Sequence, residues 1–271
     1  MIKQAIIPLA GLGSRMLPLT SVIPKELLPI NGKTNLEYIL EECLDAGIKE
    51  FIFVISKKKQ SIKKYFFNDS FYKKIIKKNK DKRLIREFKK IKKYQKMIKF
   101  VYQNNPKGTA DAVLKCKKYI KNNYFLVLLP DDLIVNKNCS KEMIQLHKKT
   151  KGSVIATKRV DIQTVTRWGI LSIKEKKKNY FTIKDVVEKP SVKKAPSNFA
   201  IIGRYILPLK VFDEIKRIKR GRGGELHITD AIKNLIYKNY KFHANIFKGK
   251  YLDCGTLSGY ISSCIRIFKG K

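Results

Sequence analysis

An unbroken apolar run, Ala5-Ile6-Ile7-Pro8-Leu9, passes directly into Ala10-Gly11-Leu12-Gly13-Ser14-Arg15. A short run with no polar alternation reads as a strand covered on both faces, the usual situation in a parallel sheet. Glycines just past such a strand let backbone N–H groups approach a phosphate or a base without interference from a Cβ. The same figure recurs at Phe125-Leu126-Val127-Leu128-Leu129, which is followed by Pro130-Asp131-Asp132.

Further strand candidates lie at 51–55, 98–102, 154–157, 169–173, 183–187 and 199–202, besides 4–9 and 125–129. Helical spacing marks 35–46, 110–119, 141–150, 209–218, 230–237 and 257–268. The alternation predicts an α/β chain with a mostly parallel central sheet flanked by helices. No internal repeat and no Gly/Ser or Pro-rich linker divides the sequence. One domain over 1–271 is expected, with a softer half from about residue 152.

Charge is the most unusual property of the composition: 60 Lys and Arg stand against 22 Asp and Glu, a net of +38. Clustered cations can replace counterions along a phosphate backbone, so a nucleic-acid binder has to be weighed. Only ten of the 60 basic residues are Arg, the residue that makes bidentate contacts to bases and phosphates. Abundant Lys, Ile and Asn fit A/T-rich coding better than a dedicated nucleic-acid surface, and no specific nucleic-acid partner is expected. The excess peaks over 57–99, with 19 Lys and Arg against three acids. There Ile62, Tyr65 and Phe66, then Phe71, Ile75 and Ile76, then Leu84, Phe88 and Ile91 recur at helical spacing, which predicts amphipathic helices coated with Lys.

Five cysteines without a C-x-x-C pair, and three widely spaced histidines, make neither a disulfide framework nor a zinc site. No apolar run reaches the roughly 18 residues of a membrane span, and the first residues lack a signal-peptide pattern. Reduced thiols and a cytoplasmic location are expected.

Four segments carry candidate chemistry. The first, Gly11 to Arg15 with Pro24-Lys25-Glu26, is neither a dinucleotide fingerprint, since Met16 stands where a third small residue is required, nor a Walker A loop. The second is Asp131-Asp132 at the end of an apolar strand, where carboxylates suit Mg²⁺ or merely cap a turn. Third comes Val187-Glu188-Lys189-Pro190, either a phosphate and sugar contact or a plain ion pair. The fourth is Asp253-Cys254-Gly255-Thr256, a second metal carboxylate or a helix cap, with Cys254 as a small buried filler. All four, with Gln103, fall just past strand ends, so parallel strands would gather them on one sheet edge. No candidate Ser/His/Asp or Cys/His nucleophile is present, which favours direct phosphoryl-group chemistry.

With these residues in hand, the sequence from 2 to about 268 resembles the bacterial UTP–glucose-1-phosphate uridylyltransferases (UDP-glucose pyrophosphorylases) of the sugar-nucleotidyltransferase superfamily. The resemblance rests on Pro8 to Pro18, Ile23 to Pro29, Leu129 to Asp132, Val187 to Pro190, Ala195 to Tyr205, Thr229 to Ile232 and Asp253 to Gly255. It implies a Rossmann-like, glycosyltransferase-A-like mixed sheet, Mg²⁺ as cofactor, UTP and glucose 1-phosphate as substrates, and a homo-oligomer. By the same resemblance Ala10, Gly11, Gln103 and Gly108 are uracil-binding positions, and Gly13, Ser14, Arg15 and Lys25 form the triphosphate and catalytic group. Asp131 resembles the principal Mg²⁺ ligand and Asp253 its partner. Gly169, Glu188 and Gly203 resemble glucose-holding positions, and Lys189 the lysine on the sugar phosphate. A sister enzyme using dTTP is the alternative.

Three departures from the family pattern stand out. Gly108-Thr109-Ala110-Asp111-Ala112 replaces the usual Gly-Leu-Gly-His-Ala, and Trp168-Gly169 replaces Tyr-Gly. The sequence also lacks the longer acidic C-terminal helix of many relatives, from which a dimer is expected rather than a tetramer.

Overall fold

The computed structural model describes residues 1–79, 81–177 and 180–269. Its strands are β1 (Gln4–Pro8), β2 (Pro29–Ile30), β3 (Lys33–Thr34), β4 (Glu50–Ile55), β5 (Ile98–Tyr102), β6 (Tyr124–Leu128), β7 (Asp132–Val135), β8 (Ser153–Arg159), β9 (Gly169–Lys176), β10 (Tyr180–Glu188), β11 (Phe199–Pro208), β12 (Phe242–Ile246) and β13 (Lys250–Asp253). The helices are α1 (Asn35–Asp45), α2 (Gln60–Phe67), α3 (Asp69–Asn79), α4 (Lys82–Gln95), α5 (Thr109–Leu114), α6 (Cys139–Thr150), α7 (Val211–Ile215), α8 (Ile228–Tyr237) and α9 (Leu257–Lys269).

Nine strands form one twisted sheet in the order β5-β4-β1-β6-β11-β8-β12-β10-β9. The first four pair in parallel, and the side chains of β1, β4 and β6 are almost wholly buried on both sides of the sheet, as the unbroken apolar runs require, while the edge strand β5 is partly exposed. Beyond β6 the expectation of a mostly parallel sheet gives way. There β11 runs antiparallel to both β6 and β8, β10 runs antiparallel to β12 and β9, and only β8 and β12 are parallel. The cause lies in the connections. The residues between β9 and β10 are too few for a crossover helix, so β10 returns antiparallel to β9, and β11 then runs in the same sense as β10.

All eight expected strands are present, most with longer ends. The short strands β2, β3, β7, β12 and β13 lie outside the expected ones. Two expected helices are shorter than their spacing suggests: α5 stops at Leu114, with a separate 3₁₀ turn at Lys117–Tyr119, and α7 stops at Ile215.

Helices cover both faces. On one, α1 and α6 pack over Ile7, Phe53 and Leu128; on the other, α5, α7 and α8 cover Ile6, Val127 and Tyr205. The segment Thr34-x-x-Glu37 opens α1 as a reciprocal capping box: Glu37 N–H donates to Thr34 Oγ1 at 3.2 Å, and Thr34 N–H donates to Glu37 Oε2 at 3.0 Å.

The Lys-rich stretch folds into α2, α3 and α4 as its periodicity indicates. Ile62 and Phe66 of α2 and Ile91 and Tyr94 of α4 are buried, whereas Phe71 of α3 is 60% exposed, because α3 rests on α4 rather than on the sheet. No helix among the described residues is long and apolar enough to cross a membrane.

Candidate active site

The parallel strands β1, β5 and β6 end on the same edge of the sheet, and their connecting loops form one wall of a cleft of about 890 Å³. All fourteen candidate positions line this cleft: Ala10, Gly11, Gly13, Ser14, Arg15, Lys25, Gln103, Gly108, Asp131, Gly169, Glu188, Lys189, Gly203 and Asp253. They do not all arrive by the expected route. Glu188 and Lys189 come from the end of β10 and Gly203 from β11, both antiparallel strands. Asp253 comes from β13, which pairs with β7 in a separate two-stranded ladder that sets Asp253 opposite Asp132.

Within the cleft, Lys25 Nζ lies 2.5 Å from Asp131 Oδ2, with Arg15 Nη2 3.6 Å from the same oxygen. The segment bearing Lys25 is a 3₁₀ turn whose carbonyl at Lys25 accepts from Asn35 Nδ2 at 3.1 Å, which ties it to the start of α1. Burial pulls the Lys25 pKa down, but the charges of Asp131 and Glu26 outweigh it and hold the ammonium above its ordinary value. The Asp131 carboxyl is pushed up by burial and carried below its ordinary range by Lys25 and Arg15. This pair is therefore fully ionised at neutral pH. Asp131 is a turn residue, and its side chain is spent on ion pairing.

Asp131 and Asp253 converge on the bare face of Gly255. A Cβ at Gly255 would stand 2.9 Å from Asp131 Oδ2, 3.2 Å from Asp253 Oδ1 and 3.1 Å from Arg15 Nη2. Asp253 also accepts the Gly255 N–H at 2.8 Å and meets Arg167 Nη2 at 3.3 Å. The helix cap is made instead by Thr256, whose Oγ1 accepts from Gly259 N–H at 3.2 Å in the first turn of α9. No cluster of three His, Cys, Asp or Glu is present among the described residues. Two carboxylates facing one open point suit a hard divalent ion that completes its shell with phosphate oxygens and water, as Mg²⁺ does. Cys254 is buried, and burial pushes its thiol up to about 12, in keeping with a filler.

On the cleft wall the buried Gln103 donates from Nε2 to Asp111 Oδ2 at 2.6 Å and to the Gly108 carbonyl at 3.3 Å. Gly108 has φ +104°, and a Cβ there would stand 2.5 Å from the Leu226 carbonyl oxygen, so only glycine fits. Also in the cleft, Glu188 Oε2 accepts from Thr229 Oγ1 at 2.8 Å, while His227 Nδ1 lies 3.7 Å from Oε1. Lys189 Nζ is 3.6 Å from Glu188 Oε1, and its backbone N–H donates to the Trp168 carbonyl at 2.9 Å.

Several contacts of the site have no counterpart in the sequence analysis, although Glu26 and Asp132 stand in segments singled out there. Glu26 and Lys59 form a buried pair behind Lys25, with Lys59 Nζ 2.9 Å from both carboxylate oxygens. Asp132, beside Asp131, accepts from Tyr251 Oη at 2.6 Å and from Gly203 N–H at 3.1 Å; burial and the Asp131 charge push its carboxyl up to about 6. Asp132 was visible as a neighbour of Asp131. The Glu26–Lys59 contact joins residues 33 apart and left no local signal.

Comparison with known proteins follows the same lines. Residues 4–267 match the nucleotidyl transferase family. The chain is 36% identical over 266 residues to UTP–glucose-1-phosphate uridylyltransferase 1 of Staphylococcus saprophyticus, covering 98% of this chain and 92% of the relative. It is 38% identical over 268 residues to UTP–glucose-1-phosphate uridylyltransferase of Mycoplasma genitalium, covering 97% and 90%. Among solved structures, a UDP-glucose pyrophosphorylase complexed with UDP-glucose superposes with a TM-score of 0.87 at 35% identity, over 100% of both chains. UTP-bound UGPase from Acinetobacter baumannii superposes with a TM-score of 0.88 at 30% identity, over 98% of this chain and 93% of that one.

Proposed function

This chain belongs to the nucleotidyl transferase family, beside the UTP–glucose-1-phosphate uridylyltransferases, and we infer that it makes UDP-glucose and pyrophosphate from UTP and glucose 1-phosphate. The observation that carries the reading is the set of groups that a single cleft gathers. Gln103 and Gly108, the Lys25–Asp131 pair with Arg15, and Glu188 with Lys189 all line it.

In that reading the uracil lies against Ala10, Gly11, Gln103 and Gly108, and the triphosphate crosses Gly13, Ser14 and Arg15. The phosphate of glucose 1-phosphate meets Lys189, and the sugar rests among Gly169, Glu188 and Gly203. A phosphate oxygen of glucose 1-phosphate attacks the α-phosphorus of UTP, the bond to the bridging oxygen of the β-phosphate breaks, and pyrophosphate leaves with its electron pair. The protein contributes position and charge rather than a covalent intermediate. Arg15 and Lys25 meet negative charge as it builds on the triphosphate, and Lys25 is held in place by Asp131 before the reaction. Mg²⁺, held by Asp131 and Asp253, would screen repulsion between the two phosphorylated substrates and polarise the phosphoryl oxygens.

The chain is read as one domain, with the sugar held by its second half. A cytoplasmic setting accords with five unpaired cysteines, four of them buried. A homodimer is the proposed assembly. It would cover the stripe of Leu257, Ile261, Ile265 and Phe268 along α9, each about half exposed or more, and light scattering tests it.

Pyrophosphate release measured with glucose 1-phosphate and Mg²⁺, with UTP, dTTP, CTP, ATP or GTP in parallel, tests the function. A clear preference for UTP is expected. No release with UTP overturns the reading, and a preference for dTTP reassigns the nucleotide while keeping the reaction.

A further inference from the structure

We infer that Asp111 sets the pyrimidine selectivity of this chain, by fixing the Gln103 carboxamide with its oxygen toward the cleft. The inference rests on the nucleotide lying against Gln103, as proposed above. Gln103 follows β5, and its backbone N–H is held by the Ile55 carbonyl at 2.8 Å, so the side chain springs from a fixed point at the sheet edge. Its amide nitrogen faces two acceptors, Asp111 Oδ2 at 2.6 Å and the Gly108 carbonyl at 3.3 Å.

The opposite orientation of the amide is excluded by charge. It would place Gln103 Oε1 against a carboxylate oxygen at hydrogen-bond distance with no proton between them. Both amide hydrogens are therefore used inside the protein. No donor among the described residues reaches Oε1, and that atom is not sealed from solvent, because Gln103 lines the cleft. Asp111 stands behind Gln103, off the cleft wall. It is a positioning residue.

An acceptor fixed in this way selects a base that brings a ring N–H. Uracil and thymine carry a hydrogen on N3, whereas cytosine has a lone pair there and would set acceptor against acceptor in a buried position. A built hydrogen-bonding site rejects a mismatched partner far more strongly than a hydrophobic pocket rejects a misfit of size. The pair separates UTP and dTTP from CTP, and it is blind to the C5 methyl group that distinguishes uracil from thymine.

The test compares purified full-length wild type with Asp111→Asn. An asparagine keeps the shape but can donate as well as accept, which frees the Gln103 amide to turn over. For wild type we expect kcat/KM with UTP to exceed that with CTP by at least about a hundredfold. In Asp111→Asn the UTP:CTP ratio should narrow about tenfold, mostly through KM, while the UTP:dTTP ratio stays put; a merely structural role would depress all three nucleotides together. Independently of any variant, wild type should bind N3-methyl-UTP at least about thirtyfold more weakly than UTP in calorimetry. A folded Asp111→Asn with an unchanged UTP:CTP ratio, or equal affinity for N3-methyl-UTP and UTP, overturns the inference and leaves the uridylyltransferase reading intact. Absence of turnover with UTP overturns that reading instead, and calorimetry of UTP, CTP and N3-methyl-UTP on wild type and Asp111→Asn still decides the role of Asp111.

Discussion

Lys25 and Asp131, 106 positions apart, meet at 2.5 Å in the cleft, the lysine side chain nearly buried and the carboxylate facing an open point beside Gly255. Each holds the other in its charged form: removing the lysine leaves a buried carboxylate with Arg15 alone at 3.6 Å, and removing the carboxylate takes away one of the two that face the proposed metal position. Lys25→Ala or Asp131→Asn should lower turnover at least about a hundredfold, the scale of losing one preorganised charge contact. Far-UV circular dichroism should show both variants folded, and near-normal turnover in either would remove it from the catalytic group.

Behind Lys25, the Glu26–Lys59 pair anchors the turn that carries it to the end of β4. Burial draws the Lys59 ammonium below its usual range although Glu26 pulls the other way, so the pair sits in a poorly solvated place. Lys59→Met strands a buried carboxylate and should destabilise the protein by about 3 kcal/mol. It should also lower kcat more than it raises KM for either substrate, because Lys25 loses its fixed position. Urea unfolding and steady-state kinetics on the same preparation separate the two effects.

Arg204 has no exposed surface and binds Glu42 of α1 at 2.9 Å and the carbonyls of Leu129 and Gly203 at 3.0 and 3.1 Å. It joins β11 and the end of β6 to the first helix just behind Asp131. Arg204→Met should cost about 3–5 kcal/mol, since Glu42 is left charged and unpaired in the core. Changing both residues to Met should cost clearly less than Arg204→Met alone. A double-mutant cycle by chemical denaturation reads the difference.

Glu37 gives a pH prediction with a definite sign. Burial pushes its carboxyl up, but hydrogen bonds from Lys90, the Thr34 N–H and the Tyr65 hydroxyl outweigh burial and lower its pKa. A lowered folded pKa means the ionised form is favoured by folding, so this contribution is present above the unfolded carboxylate range and is lost as pH falls through the folded value. The stability difference between wild type and Glu37→Gln should be constant near neutrality and shrink below about pH 4. Denaturation curves across that range check it, and a difference that grows on acidification would refute the assignment.

Period and punctuation were enough to locate the first half of the fold. The unbroken runs of β1, β4 and β6 and the spacing of Ile62, Phe66 and Ile91 announce buried strands and one-sided helices, because each pattern reports its own local geometry. The strand β12 was missed for a related reason. Phe242-His243-Ala244-Asn245-Ile246 alternates apolar and polar residues as a strand with one wet face does, yet it lies between β8 and β10 inside the sheet, with His243 and Asn245 buried. Its burial is decided by the strands on either side.

Within the site, the residue types that hold phosphate and metal were readable, since glycines, a lysine after proline and carboxylates past strand ends carry their chemistry with them. Which charge meets which was not. A chain with 60 cations offers Asp131, Glu26 and Glu42 many partners, and the selection of Lys25, Lys59 and Arg204 follows from strand order, from the antiparallel return of β11 and from the separate β7–β13 ladder. Sequence alone determined the local conformations and the inventory of reactive groups. Tertiary structure decided their pairing, because contacts between residues distant along the chain depend on how the sheet is ordered, and no local period encodes that order.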